Sequence, residues 1–157
     1  MISIWYFLRP DAASALEDPK VLSSLPRYVR IVKNKSVAKF RISRLIPVEF
    51  SGDSPMDELW RLHSKGLEEE SELEKSLDAG HVRYSNLEAP KSSLLPLKSL
   101  IASKIMERCV LCERRCMKDR TRGELGYCRV GKDMYVSSYF DHMGEEPEIV
   151  PSFTVCD

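Results

Sequence analysis

The sequence predicts an α+β protein, and three observations carry that prediction. Several short runs rich in β-branched and aromatic residues have strand character. Two longer segments repeat apolar residues at three- and four-residue steps, the signature of helices with one buried face. Four cysteines then crowd into twenty residues, Cys109, Cys112, Cys116 and Cys128, spaced C-x2-C-x3-C-x11-C, after 108 residues without a cysteine.

Taken in order, residues 2–8 suit a buried strand, and residues 11–17 a brief helix ended by Pro19. Residues 28–33 and 37–42 read as two further strands joined by a hairpin at Asn34-Lys35-Ser36. Residues 46–50 add another strand. A stronger start signal follows, with Ser54 as N-cap, Pro55 at the first helical position and Asp57 in the first turn. Leu59, Leu62, His63, Leu67, Leu73 and Leu77 continue that helix. Gly66 weakens its middle by ~1 kcal/mol relative to alanine, leaving room for a break. Asp78-Ala79-Gly80 reads as its stop. Residues 81–95, with Pro90 and the Lys91-Ser92-Ser93 triplet, read as a linker between a mixed domain over 1–80 and a module over 96–157. From Pro96 a second helix is predicted, with Leu97, Leu100, Ile101, Ile105 and Met106 on one stripe. It delivers Cys109 at or just past its end. Gly123, Gly126 and Gly131 punctuate the cysteine segment, and such turns let backbone N–H groups approach sulfur. Residues 134–140 and 148–155 regain strand character.

At 157 residues, the chain fits one compact domain, or one domain plus a small metal-supported module. Hydrophobic residues make up 43% and charged residues 31%, as in ordinary soluble proteins, and the formal net charge is zero. A neutral total gives no bulk drive toward nucleic acid or anionic membrane. No apolar run approaches the ~20 residues that span a bilayer. The opening segment lacks the basic start of a signal peptide. A cytoplasmic protein is the expectation, and clustered cysteines there bind metal more often than they form disulfides.

Charge is nonetheless segregated. Residues 51–80 hold nine acidic side chains against Arg61, Lys65 and Lys75, which suits the wet face of a helix. Residues 104–132 hold nine basic side chains against Glu107, Glu113, Asp119 and Glu124. Four thiolates around a dication carry two surplus negative charges, which nearby Arg and Lys would offset. That reading is preferred to a nucleic-acid surface, because basic clustering alone is a weak signal.

The four cysteines are therefore the candidate metal ligands. Four thiols complete a tetrahedral shell for Zn²⁺ or hold an iron–sulfur cluster. Zinc sites commonly use two C-x2-C pairs and this chain has one, so both alternatives stand, with zinc slightly ahead. Cys156 has no paired spacing and reads as an incidental thiol. His63 and His81 read as ordinary surface or satisfied residues.

The segment Cys109-Val-Leu-Cys-Glu-Arg-Arg-Cys116, followed by Asp119-Arg120, Gly123-Glu124 and Gly126-Tyr-Cys128, resembles a known pattern. So does His142-Met-Gly-Glu-Glu-Pro147. Together they resemble the N-terminal region of radical SAM proteins related to the activating enzyme of pyruvate formate-lyase, over residues 95–155. The resemblance implies that residues 151–155 begin a partial (β/α) barrel. In that family a C-x3-C-x2-C loop then holds a [4Fe–4S] cluster, which binds and cleaves S-adenosylmethionine. The radical so formed abstracts hydrogen from a substrate, often a glycine of a partner enzyme.

Here the sequence stops at Val155-Cys156-Asp157, before such a loop, and Cys109, Cys112 and Cys116 match the family's upstream block instead. The expectation is that this chain alone does not perform the radical reaction. It would be a fragment, one half of a split protein whose partner chain carries the barrel, or an independent zinc-binding interaction module. A [4Fe–4S] cluster with S-adenosylmethionine enters only if the barrel is supplied. The partners expected are such a chain or a protein substrate, not a membrane, with nucleic acid ranked last. The segment 142–147 reads as a turn packing the cysteine module onto the barrel. Glu145 and Glu146, placed on a strand, would point to opposite faces and share no acid/base site.

Overall fold

The computed structural model describes residues 4–133, 135–150 and 152–156, with backbone alone for Trp5, Tyr6 and Cys156. The expected α+β class holds: the protein is mainly helical, with one small sheet. It divides into two compact units, Met1–Lys35 with Met134–Asp157, and Ser36–Asp133.

The first unit has four short helices, α1 (Trp5–Leu8), α2 (Pro10–Ala15), α3 (Pro19–Ser24) and α4 (Pro26–Val32). A proline opens each of the last three, where its fixed φ suits a helix start and its missing N–H costs nothing. Ala12, Leu16 and Val29 from these helices bury together with Val150, and Val32 and Met143 pack at the margin. Arg9 binds Asp11 and donates to the carbonyls of Met143 and Glu145. Strands β1 (Ser138–His142) and β2 (Ser152–Cys156) pair antiparallel, with Phe140 opposite Thr154.

Two expectations fail in this region. The strand foreseen over residues 2–8 is helix from Trp5 on, and Ile2 and Ser3 lie outside the described residues. The hairpin foreseen at residues 34–36 is absent. Its first strand is α4, and its second is α5 (Lys39–Ser43) of the other unit. Pro26 at the first helical position and the burial of Val29 outweigh the β-branched character of Val29, Ile31 and Val32. Residues 134–140 and 148–155 are strand only in part. Met134 and Pro151 are not described, and Pro147–Ile149 is a 3₁₀ turn.

The second unit is built on α6 (Met56–Asp78) and α7 (Leu94–Ile105). Ile46, Val48, Leu59, Leu94, Leu97 and Ile101 form its core. The strand expected at 46–50 is reduced to a single bridge between Pro47 and Ser93, supported by Leu94 N–H to Ile46 O at 2.9 Å. Helix α6 starts one residue later than foreseen, with Pro55 rather than Ser54 at the N-cap. Nor does it break at Gly66, where a Cβ would stand 2.8 Å from Leu94 Cδ1. Glycine is there to let α7 approach. Helix α6 ends as expected, at Gly80 with φ 75°.

Because α6 and α7 share this core, residues 81–95 connect two parts of one unit rather than two domains. Along α6 Asp57, Glu68 and Glu72 are exposed and Glu58, Glu69, Glu74 and Asp78 half-buried, whereas Glu70 is 5% exposed and meets Ser43 and Lys98. No described helix is long and apolar enough to cross a membrane.

Candidate metal centre

A 3₁₀ turn, Met106–Arg108, follows α7 and leaves Cys109 buried at its end. From there the chain makes a closed loop. Cys109 N–H bonds to Lys118 O at 3.0 Å, and Met117 N–H returns to Cys109 O at 3.1 Å. Inside it, Arg115 N–H reaches Cys112 O at 3.0 Å, and Arg115 and Met117 take left-handed φ values of 41° and 57°. Cys112 is exposed on this excursion, and Cys116 is half-buried on its return.

The next turn is fastened by carboxylates. Asp119 accepts from Thr121 N–H at 3.0 Å and Arg122 N–H at 3.2 Å, capping the 3₁₀ turn Arg120–Arg122. Gly123, at φ 88°, ends it. Glu124 answers by accepting from Asp119 N–H at 2.7 Å. A last tight turn carries Cys128, closed by Gly126 N–H to Val130 O at 3.1 Å, with Arg129 at φ 60°.

These turns bring Cys128 against one side chain, Arg120, with Cys109 and Cys116 near enough to act on its charge. Its guanidinium is 8% exposed and donates from Nη2 to Cys128 Sγ at 3.1 Å. Burial disfavours its charge, yet the neighbouring Cys109, Cys128 and Cys116 sulfurs raise its pKa further. The Nε atom is buried without a hydrogen-bond partner. Gly126 makes the space, since a Cβ there would lie 2.6 Å from Arg120 Nη2. The Cys116 thiol is held below its ordinary pKa. The backbone N–H groups of Tyr127 and then Lys118 do most of this, burial opposes them, and Cys109 and Arg120 add to it.

All four predicted ligands are thus free thiols in one loop, and three of them face a common cation. The chemistry of this donor set fits a thiophilic ion. Among the described residues, however, no three His, Cys, Asp or Glu side chains stand close enough together to hold a metal ion. One of the sulfurs, that of Cys128, accepts instead from the Arg120 guanidinium. The side chain of Cys156 lies outside the described residues, although its backbone pairs with Ser138.

Arg120 is the residue that sequence reasoning did not single out. It stands in the Asp119-Arg120 step of the resemblance without a role, and its charge is a signal that nine basic residues share. Three of its eight basic neighbours are engaged locally: Lys118 with Glu124, Arg122 with Asp119, and Arg114 over the Tyr127 ring at 4.2 Å. His63 is half-buried on α6, with its pKa lowered by burial and by Lys98 while Glu70 opposes. His81 is exposed in the connection. His142 Nδ1 lies 2.6 Å from Glu145 Oε1, and Glu146 stands at the N-cap position of the 3₁₀ turn Pro147–Ile149 with no side-chain capping bond. Those two glutamates sit on a turn, not on the strand assumed from the sequence.

Compared with known proteins, the chain is 39% identical over 131 residues to an uncharacterized protein of Methanocaldococcus jannaschii. The alignment covers 83% of this chain and 36% of that protein, so the chain spans roughly a third of the relative's length. No family model matches, and no solved structure matches.

Proposed function

We propose that residues 109–128 are a thiolate metal site within the N-terminal region of a cytoplasmic radical SAM protein like the pyruvate formate-lyase activators. Cys109, Cys112, Cys116 and Cys128 would hold either Zn²⁺ or an iron–sulfur cluster. When bound, the group supplies a cross-link for the loop and, if it is a cluster, one-electron chemistry. The reading rests on one observation: four free thiols share one loop with the buried Arg120, which donates to Cys128 Sγ.

The residues' own part follows from charge. Backbone N–H groups favour the thiolate form of Cys116, and Arg120 offsets negative charge that four sulfurs would otherwise concentrate. Local engagement of Lys118, Arg122 and Arg114 supports this use of charge over a nucleic-acid surface. The sequence contains no C-x3-C-x2-C, and the role proposed for this chain is confined to holding the metal. S-adenosylmethionine cleavage belongs to a barrel supplied by other residues or by a partner chain.

A second reading, a structural zinc module that binds another protein, is favoured by a specific feature. Val110, Leu111, Met117, Leu125 and Tyr127 are all exposed around the loop, and apolar surface of that kind marks interaction sites. Anaerobic purification with metal analysis and a visible spectrum separates the cluster from zinc. Iron, sulfide and broad absorbance near ~400 nm select the cluster and count against the structural module. One zinc on colourless protein removes the cluster and leaves the structural zinc site. Binding of neither metal sinks both.

A further inference from the structure

The start of α7 borders a cleft of about 530 Å³, a size that suits a small organic ligand. Arg44 and Lys91 stand over it, Ser93 and Ser99 present hydroxyls, and Pro90 and Pro96 supply apolar wall. All belong to the second unit, and none takes part in the cysteine loop.

Three details give this cleft a sign. First, neither Arg44 nor Lys91 has an ion-pair partner among the described residues. Second, Ser93 is the N-cap of α7 and only 5% exposed, yet its hydroxyl caps no backbone N–H and has no hydrogen-bond partner among the described residues. A serine at that position ordinarily bonds to the first turn of its own helix. Third, the first turn of α7 leaves one donor over. Leu94 N–H goes to Ile46 O, Leu97 N–H goes to Ser93 O, and Pro96 has none, so Leu95 N–H has no acceptor among the described residues.

We infer that this cleft binds a small phosphate-bearing organic molecule. Its dianionic group would lie among Arg44, Lys91, the Ser93 hydroxyl and the Leu95 N–H, with its apolar body on Pro90 and Pro96. A helix N-terminus favours negative charge through its dipole and its spare N–H groups. Two unpaired cations beside it add charge-assisted hydrogen bonds. The inference is independent of the metal site and stands or falls without it.

The test uses phenyl phosphate as the probe and the full chain, followed by ¹H–¹⁵N NMR. Saturable 1:1 shifts at the Ser93 and Leu95 amides are expected. The double variant Arg44→Gln/Lys91→Gln should weaken binding at least tenfold, or about 1.4 kcal/mol. Ser93→Ala should weaken it too, and Ser93→Thr, which keeps a hydroxyl, should restore it. The amide dispersion of each variant's spectrum should match the parent's, which reports that each has folded. No saturable shift, unchanged affinity in the double variant, or equal binding of neutral benzyl alcohol would overturn the inference.

Discussion

Arg120 and Cys128 are joined by a hydrogen bond of 3.1 Å, and the guanidinium that makes it occupies the space left by the missing side chain of Gly126. A methyl group at 126 would sit 2.6 Å from Arg120 Nη2, closer than such atoms approach. Gly126→Ala is therefore expected to expel the guanidinium and break the bond to sulfur. The loss should be about 1 kcal/mol, or a fall of about 2–4 °C in Tm for a chain of this size. Thermal unfolding followed by circular dichroism measures it, and an unchanged Tm would remove Arg120 from the centre of the loop.

Cys116 carries the pH dependence of the site. Its folded-state pKa lies below the ordinary thiol value, chiefly through the N–H groups of Tyr127 and Lys118. The interaction therefore contributes to stability above the unfolded-state pKa and is lost as pH falls through the folded-state pKa. The thiolate is the reactive form. Alkylation of Cys116 in the folded chain should accordingly reach half its maximal rate at lower pH than in the urea-unfolded chain. Peptide mass spectrometry after iodoacetamide pulses reads both, and coincident midpoints would contradict the geometry.

Gly66 and Leu94 make a second close approach, between α6 and α7. In an isolated helix, Gly66→Ala would gain about 1 kcal/mol of propensity. Here the new Cβ meets the buried Leu94 Cδ1 at 2.8 Å, and overpacking costs about 1–3 kcal/mol. Net destabilisation is expected. Leu94→Ala alone should cost about 2–5 kcal/mol, while the double variant should cost less than the sum, because each change makes room for the other. Additive values in urea unfolding would mean that the helices do not touch there.

The sequence made the long features legible and the short ones not. Helix α6 and its stop at Gly80 followed from sustained periodicity and a left-handed glycine. Helix α7, which begins at Leu94 rather than Pro96, and its delivery of Cys109 followed from the stripe running to Met106. Helix α4 was lost because a seven-residue run with Tyr28, Val29, Ile31 and Val32 suits strand and helix alike. Pro26 at its start and its packing against Ala12 and Leu16 decide the matter, and that contact is remote in sequence. Gly66 misled for the same reason: its meaning lies in Leu94, 28 residues away. At the candidate site the ligand spacing was visible, whereas the choice of Arg120 among nine cations required the turns that aim it.

Glu70 should prove costly to isolate. It is 5% exposed and shares its carboxylate with the Ser43 hydroxyl and with Lys98 Nζ at 3.4 Å. Lys98→Met leaves that carboxylate with the hydroxyl alone, and breaking a buried pair from one side costs about 3 kcal/mol. Replacing both members, as Glu70→Leu/Lys98→Met, should recover much of the loss, since no unpaired charge stays buried. Equal losses in the single and double variants, measured by denaturant unfolding, would show that the pair is not coupled.

Metal addition provides the most discriminating test, because the cysteines differ in what they do without metal. Cys109 is 1% exposed at the end of α7, so Cys109→Ser buries a hydroxyl in place of a thiol and should destabilise the metal-free chain. Cys112 is exposed, and the sulfurs that act on Arg120 are those of Cys109, Cys116 and Cys128. Cys112→Ser should therefore leave the metal-free Tm unchanged. If all four thiols ligate, the same variant must nonetheless lose Zn²⁺ affinity by more than tenfold, or over about 1.4 kcal/mol. It should also release fewer protons on binding, since each ligating thiol gives one up. Calorimetry in two buffers of different ionisation enthalpy counts those protons. A Cys112→Ser chain that binds zinc as tightly as the parent, with the same proton release, would reduce the site to three sulfurs and undo the four-thiol assignment.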